Sequence, residues 1–217
     1  MKKSLLLACL AGGSASTAAW AQEPSAGFTG PRAELRIGVE TTTAGVLIDD
    51  GAEGSYGEDD QAGITFAGEL GYDLRAGDRF VAGVYGGVDF SSVARCQEVF
   101  GGDEACLEAD RTITLGARAG FQRSRNLLLY AKGGYSRTRL TLTYESGESG
   151  IGPIDEDEEA EGFHVGGGLE LGLGGGAYSR LEYVYTDYAD GRIDLDDARI
   201  ATDMNRQQVL VGIGYRF

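Results

Sequence analysis

The sequence predicts an all-β protein, an eight-stranded antiparallel up-and-down transmembrane β-barrel. Apolar and polar residues alternate with period two in eight separate segments, the pattern of half-buried strands. The connections between those segments are alternately short and long, as in a meander whose two ends face different surroundings. Glycine makes up 36 of the 217 residues and gathers on the polar face of the segments.

Ahead of the first segment, residues 1–21 read as a secretory signal peptide. Lys2 and Lys3 give the basic start, Leu5 to Ala11 the apolar stretch, and Ala19-Trp20-Ala21 a small-x-small site, so cleavage is expected after Ala21. Residues 22–31 are then a short periplasmic N-terminal segment, and residues 32–217 the barrel. The glycines have no G-X-Y period, which excludes collagen, and 11 Tyr with 8 Phe are too many for a disordered acidic tail. A formal charge of −15 argues against a nucleic-acid partner. No later stretch approaches the ~18 consecutive apolar residues of a membrane helix.

Segment one, Arg32 to Thr43, sets Ala33, Leu35, Ile37 and Val39 against Glu34, Arg36, Gly38 and Glu40. Segment two, Gly63 to Arg75, sets Ile64, Phe66, Leu70, Tyr72 and Leu74 against Thr65, Glu69, Gly71 and Asp73. Segment three, Phe80 to Ser91, opposes Phe80, Val84, Val88 and Phe90 to Gly83, Tyr85, Gly87 and Asp89. In segment four, Arg111 to Arg123, Ile113, Leu115 and Phe121 oppose Thr114, Gly116, Arg118 and Gly120. Segment five, Leu127 to Tyr144, opposes Leu129, Ala131 and Tyr135 to Lys132, Gly134 and Ser136, but Arg137 and Arg139 then break its apolar face. A bulge would explain the break, and so would exit from the apolar zone. Segment six, Gly162 to Leu173, opposes Phe163, Val165, Leu169 and Leu171 to His164, Gly166, Gly168 and Glu170. Segment seven, Tyr178 to Tyr188, opposes Leu181, Tyr183 and Tyr185 to Arg180, Glu182 and Thr186. Segment eight, Arg206 to Phe217, opposes Val209, Val211, Ile213, Tyr215 and Phe217 to Gln208, Gly212, Gly214 and Arg216.

Alternation alone does not say which face is inside, because a soluble barrel buries its apolar face and a membrane barrel its polar one. Two features favour the membrane solution. Glycines on a solvated face would only weaken the strands, whereas inside eight strands they make space for large neighbours. The polar-face charges also nearly cancel: Glu34, Glu40, Glu69, Asp73, Asp89, Glu170 and Glu182 against Arg36, Arg75, Arg118, Lys132, Arg180 and Arg216. Buried charges must pair, and this set permits an interior network. The acidic excess falls instead in the long extracellular connections. Ala44 to Gln61 carries six acids and Glu145 to Glu161 eight, with no base in either. Asp187 to Asn205 carries six acids against Arg192 and Arg199. The remaining connection holds Cys96 and Cys106, an even pair in an exported chain, which reads as a disulfide closing one loop.

Gly162 to Glu170, Ser179 to Tyr188 and Val209 to Phe217 resemble the small eight-stranded outer-membrane barrels, the porin-family surface proteins of Gram-negative bacteria, related in architecture to the OmpA transmembrane domain. Leu129 to Tyr135 is similar to the fifth strand of that group. The resemblance implies residence in the outer membrane, amid its lipid and lipopolysaccharide. It also implies that Val209, Val211, Ile213, Tyr215 and Phe217 are the signal read by the barrel-assembly machinery. Val184 departs from the pattern, standing where relatives often have an inward Arg, and no peptidoglycan-binding module is expected after the eighth strand.

Three functions compete. The first is a non-enzymatic barrel contributing to envelope integrity, whose acidic loops are solvated and make weak divalent-cation or host-surface contacts. Asp155-x-Asp157-x-Glu159 lacks the Gly and the closing Glu of an EF-hand, so no strong calcium site and no cofactor are expected. The second is a narrow porin-like channel, disfavoured because eight strands enclose little more than their own side chains. The third is a lipid A-modifying enzyme, for which the single His164 would need a nucleophile or carboxylate beside it. A satisfied interior histidine is the expectation instead.

Overall fold

The structure, a computed structural model, describes residues 27–49, 55–99, 103–145, 154–189, 191–194 and 199–217. The expected signal peptide lies outside the described residues. The strands are β1 (Gly30–Asp49), β2 (Ser55–Arg75), β3 (Phe80–Ser91), β4 (Ala94–Val99) and β5 (Asp103–Gln122), then β6 (Leu127–Glu145), β7 (Ile154–Gly174), β8 (Ala177–Tyr188), β9 (Gly191–Asp194) and β10 (Arg199–Arg216). Pairing runs β1-β2-β3-β5-β6-β7-β8-β10, every neighbour antiparallel. β10 then returns to β1, from Arg32↔Arg216 to Asp49↔Arg199, and closes the cylinder. The barrel therefore has eight staves. β4 pairs with β5 beyond the end of β3, and β9 with β10 beyond the end of β8.

The side chains divide as the alternation requires of a membrane barrel. Leu115 and Phe163 are 67% and 73% exposed on the outer wall, while Asp73 and Glu170 are fully buried inside it. Val209, Val211, Ile213, Tyr215 and Phe217 all lie on the outer wall at the last stave. Apolar side chains face outward because lipid is their solvent; the paired backbone of a closed sheet leaves no edge to be satisfied there.

Staves at the hairpin end run further than the alternation indicates. Residues 44–49 and 55–61, read from sequence as loop, are paired strand, with Thr43 opposite Asp60 and Ile48 opposite Ser55. β7 likewise starts at Ile154, ahead of the Gly162 read from sequence, and pairs with β6 as far as Tyr144↔Ile154, at the expected end of segment five. Past the apolar zone both faces of a strand meet water, so nothing selects alternation and the sequence signal stops before the hydrogen bonds do. The break in segment five has the same origin. β6 keeps a single register against β7 throughout, and Arg137 stands exposed on the outer wall where the apolar band ends. The one-residue irregularity lies in the neighbouring stave, between Ala109 and Arg111.

At the opposite end the turns are short. Ala76 N donates to Phe80 O at 2.8 Å, and Gly174, Gly175 and Gly176 all take positive φ in the β7–β8 turn, a conformation that favours glycine. Phe28, just ahead of β1, folds under this end against Val81 and Leu128 and forms an apolar stopper. The Arg216 guanidinium lies 5.6 Å from the Phe28 ring centroid, and Phe217 N donates to Pro31 O at 3.0 Å.

Candidate functional site in the charged interior

Large inward tyrosines fit because glycines stand opposite them. Tyr85 pairs with Gly116, Tyr130 with Gly168 and Tyr178 with Gly214. Each ring lies over its glycine: a Cβ at Gly116 would come 2.7 Å from Tyr85 Cζ, and one at Gly168 2.9 Å from Tyr130 Cζ. The space so made is filled by charge.

Nearest the short turns, Asp73 takes two hydrogen bonds from Arg118, Nε to Oδ1 at 2.8 Å and Nη2 to Oδ2 at 2.6 Å. Arg216 Nη1 donates to the same carboxylate at 2.9 Å, and Arg32 Nε lies 3.2 Å from it. Glu170 is held by Arg216, by Arg118 Nη1 at 3.2 Å and by Arg180 Nη2 at 3.3 Å.

Midway along the barrel, Glu34 accepts from Arg180 and from Tyr178 Oη at 2.7 Å. Glu69 pairs with Arg32 Nη1 at 2.7 Å and Lys132 Nζ at 2.9 Å. Glu182 accepts from Arg36 Nη1 at 2.7 Å and Tyr130 Oη at 2.5 Å. Lys132 Nζ also stands 4.2 Å over the Tyr85 ring.

Toward the hairpin end, Arg206 Nε donates to Glu40 at 2.5 Å, Thr65 Oγ1 donates to Glu40 at 2.6 Å, and Arg36 Nη2 reaches Asp89 at 3.4 Å. All of these charged side chains are at most 9% exposed. Such groups are tolerated away from water only when mutual attraction and hydrogen bonds offset their desolvation.

Glu34, Arg36, Glu69, Asp73, Asp89, Arg118, Lys132, Glu170, Arg180, Glu182 and Arg216 are thus brought into one ion-pair network, and Glu40 is buried beside it on Arg206. Arg75 is a correction: it shares the inward parity but lies at the strand end, exposed, with Nη1 donating to Asp78 O at 3.3 Å. Arg32 and Arg206, which open segments one and eight on the inward parity, take part instead. Extending the parity of Glu34 and Gln208 by one step would have found both. Among the described residues the buried set is then seven acids and seven bases, electrically neutral inside a chain of charge −15. Val184 is buried and packs against Gly166 with no charge of its own.

His164 is held at both ring nitrogens, Nε2 by Tyr85 Oη at 2.5 Å and Nδ1 by Ser136 Oγ at 2.8 Å. The cavity beside it, lined by Arg36, Asp89, Lys132 and Arg206 among others, is about 10 Å³, the space of one water. Cys96 and Cys106 are directly opposite in the β4–β5 register, while their side chains lie outside the described residues. Among the described residues no group of His, Cys, Asp or Glu is arranged to hold a metal ion.

A family model described as "Outer membrane protein beta-barrel domain" matches residues 5–217. The 25 kDa outer-membrane immunogenic protein of Brucella abortus is 36% identical over 63 residues, 29% of this chain and 30% of the relative. The 22 kDa outer membrane protein of Rhizobium leguminosarum bv. viciae is 36% identical over a stretch of the same coverage. The match thus spans less than a third of either relative's length. Among solved structures, Neisserial surface protein A is 13% identical, covering 83% of this chain and 97% of its own, with a TM-score of 0.48.

Proposed function

The chain belongs to the family of outer membrane protein β-barrel domains, and we propose that it is a closed, non-enzymatic barrel that contributes to envelope integrity and displays acidic hairpins at the cell surface. One observation carries this reading: seven buried acids and seven buried bases fill the lumen, and the cavity beside His164 has room for about one water. A solute pathway needs continuous width, and these cross-linked side chains occupy the little space that eight strands enclose. The long hairpins face outward and the short turns face the periplasm, as is general for such barrels. Acids along the hairpins keep them solvated and mutually repelled, with weak divalent-cation or host-surface contacts as their expected interactions.

The enzymatic alternative is disfavoured by His164. It has Ser136 beside it, the pairing a nucleophilic mechanism would need, but Ser136 is 1% exposed and, among the described residues, the cavity beside it has room for only about one water. The test is planar-bilayer recording on refolded protein, with gel heat-modifiability as proof of folding. The expected result is a heat-modifiable band and no stable large openings. Sustained, uniform openings from the folded form would replace this reading with the channel.

A further inference from the structure

The outer wall carries a basic patch that the lumen does not use. Arg111 on β5 stands directly opposite Arg139 on β6, and Arg137 lies one outward position below Arg139. Like charges in facing positions, whose Cα atoms are ~4.5–5.5 Å apart, repel each other. The facing residue of Arg139 on its other side is Glu159, but that carboxylate is turned to Arg137 instead. Arg137 is further tied to Glu161, Nε to Oε1 at 3.7 Å. Among the described residues, neither Arg111 nor Arg139 has a carboxylate of its own.

The patch sits at a definite height. Phe90 stands directly opposite Arg111, and just below the patch are Ile113, Tyr135 and Phe163, outward on adjacent staves, with Tyr135 and Phe163 edge to face at 5.9 Å. An aromatic girdle marks the edge of the hydrocarbon layer, so guanidinium groups one or two outward positions above it lie at headgroup level. Among the described residues elsewhere on this rim the outward side chains include Thr41, Thr43, Asp60, Ser92, Asp187 and Gln207, none of them basic.

We propose that Arg111 and Arg139, with Arg137 beside them, bind a phosphate of a lipopolysaccharide headgroup in the outer leaflet. A phosphate placed between the two free guanidinium groups accepts hydrogen bonds from both and removes their repulsion, the geometry in which arginine outperforms lysine. Glu159 and Glu161 are both engaged by Arg137. This assignment rests on the outward orientation of the hairpins proposed above.

The test is native mass spectrometry of folded, detergent-solubilised protein with rough lipopolysaccharide. Three forms are compared: wild type, R111Q/R139Q, and R75Q/R79Q, which removes equal charge at the other end. Wild type and R75Q/R79Q should retain the glycolipid equally. R111Q/R139Q should retain it about tenfold or more weakly, and dephosphorylated lipopolysaccharide should bind wild type no better than this variant binds the native form. R111K/R139K, which preserves charge, should fall between. Equal retention by R111Q/R139Q, or indifference to the phosphates, overturns the proposal. Heat-modifiability of each form shows that the barrel is intact. Loss in R75Q/R79Q alone would instead reverse the orientation on which the site rests.

Discussion

Asp73 shows how much one side chain can organise. It joins Arg118, Arg216 and Arg32, drawn from three different staves, at full burial. D73N keeps the shape but removes the charge that these three guanidinium groups share. Breaking a buried ion pair from one side costs about 3–5 kcal/mol. Urea unfolding of the barrel in phospholipid vesicles is expected to show a loss of that order, and an unchanged midpoint would mean that water reaches the lumen. The inward direction of Asp73 was legible from its parity with Glu69 and Gly71. Its partners were not. Arg118 is 45 residues away in sequence and Arg36 reaches Glu182 across 146. Those meetings depend on the stagger of the staves, which period-two alternation does not encode. Arg75 shows the converse, since parity assigned it inward while the end of its strand left it in solvent.

At the scale of an element, the β4–β5 hairpin is the stave extension with an expected covalent lock. Cys96 and Cys106 face each other in register, and opposed strand positions fall within the Cα separation that a disulfide spans. The bond is therefore proposed from spacing and register together. In the chain-entropy model a loop of this length is worth about 2.5–3 kcal/mol when closed. C96S/C106S is expected to make this hairpin the first site of limited proteolysis while heat-modifiability of the barrel stays intact. No change in the cleavage pattern between oxidised, reduced and substituted protein would argue against the bond. The same reasoning explains why the hairpin flanks were missed as strand. Residues 55–61 are mostly polar or acidic and residues 44–49 run Ala-Gly-Val-Leu-Ile-Asp without alternation, so the ladder of hydrogen bonds holds there with no period-two pattern to announce it.

For the whole molecule the decisive property is inversion: apolar wall, ionic core. L115R places a charge on the outer wall within the apolar band. Lipid-facing arginine near the bilayer midplane costs about 2–4 kcal/mol, and a loss of that order is expected in vesicle-refolded protein by urea titration. T114R, the inward neighbour beside the lumen cavity, should instead fail through crowding and charge imbalance, with the defect persisting in detergent micelles. If L115R were as stable as wild type in bilayers, the wall would not be meeting lipid.

The sequence by itself determined which face of each stave carries which chemistry, because the side chains of a strand alternate whatever the strand is paired with. It also determined the near-neutral interior, since charge in a water-poor lumen must balance, and the roomy positions, since only glycine admits the tyrosines opposite. Tertiary structure alone decided which acid meets which base, how far the hairpins stay paired above the membrane, and that Arg111 and Arg139 face one another with no shared carboxylate among the described residues. Those outcomes follow from register and closure of the cylinder, which bring together residues far apart in the chain and leave no local pattern behind.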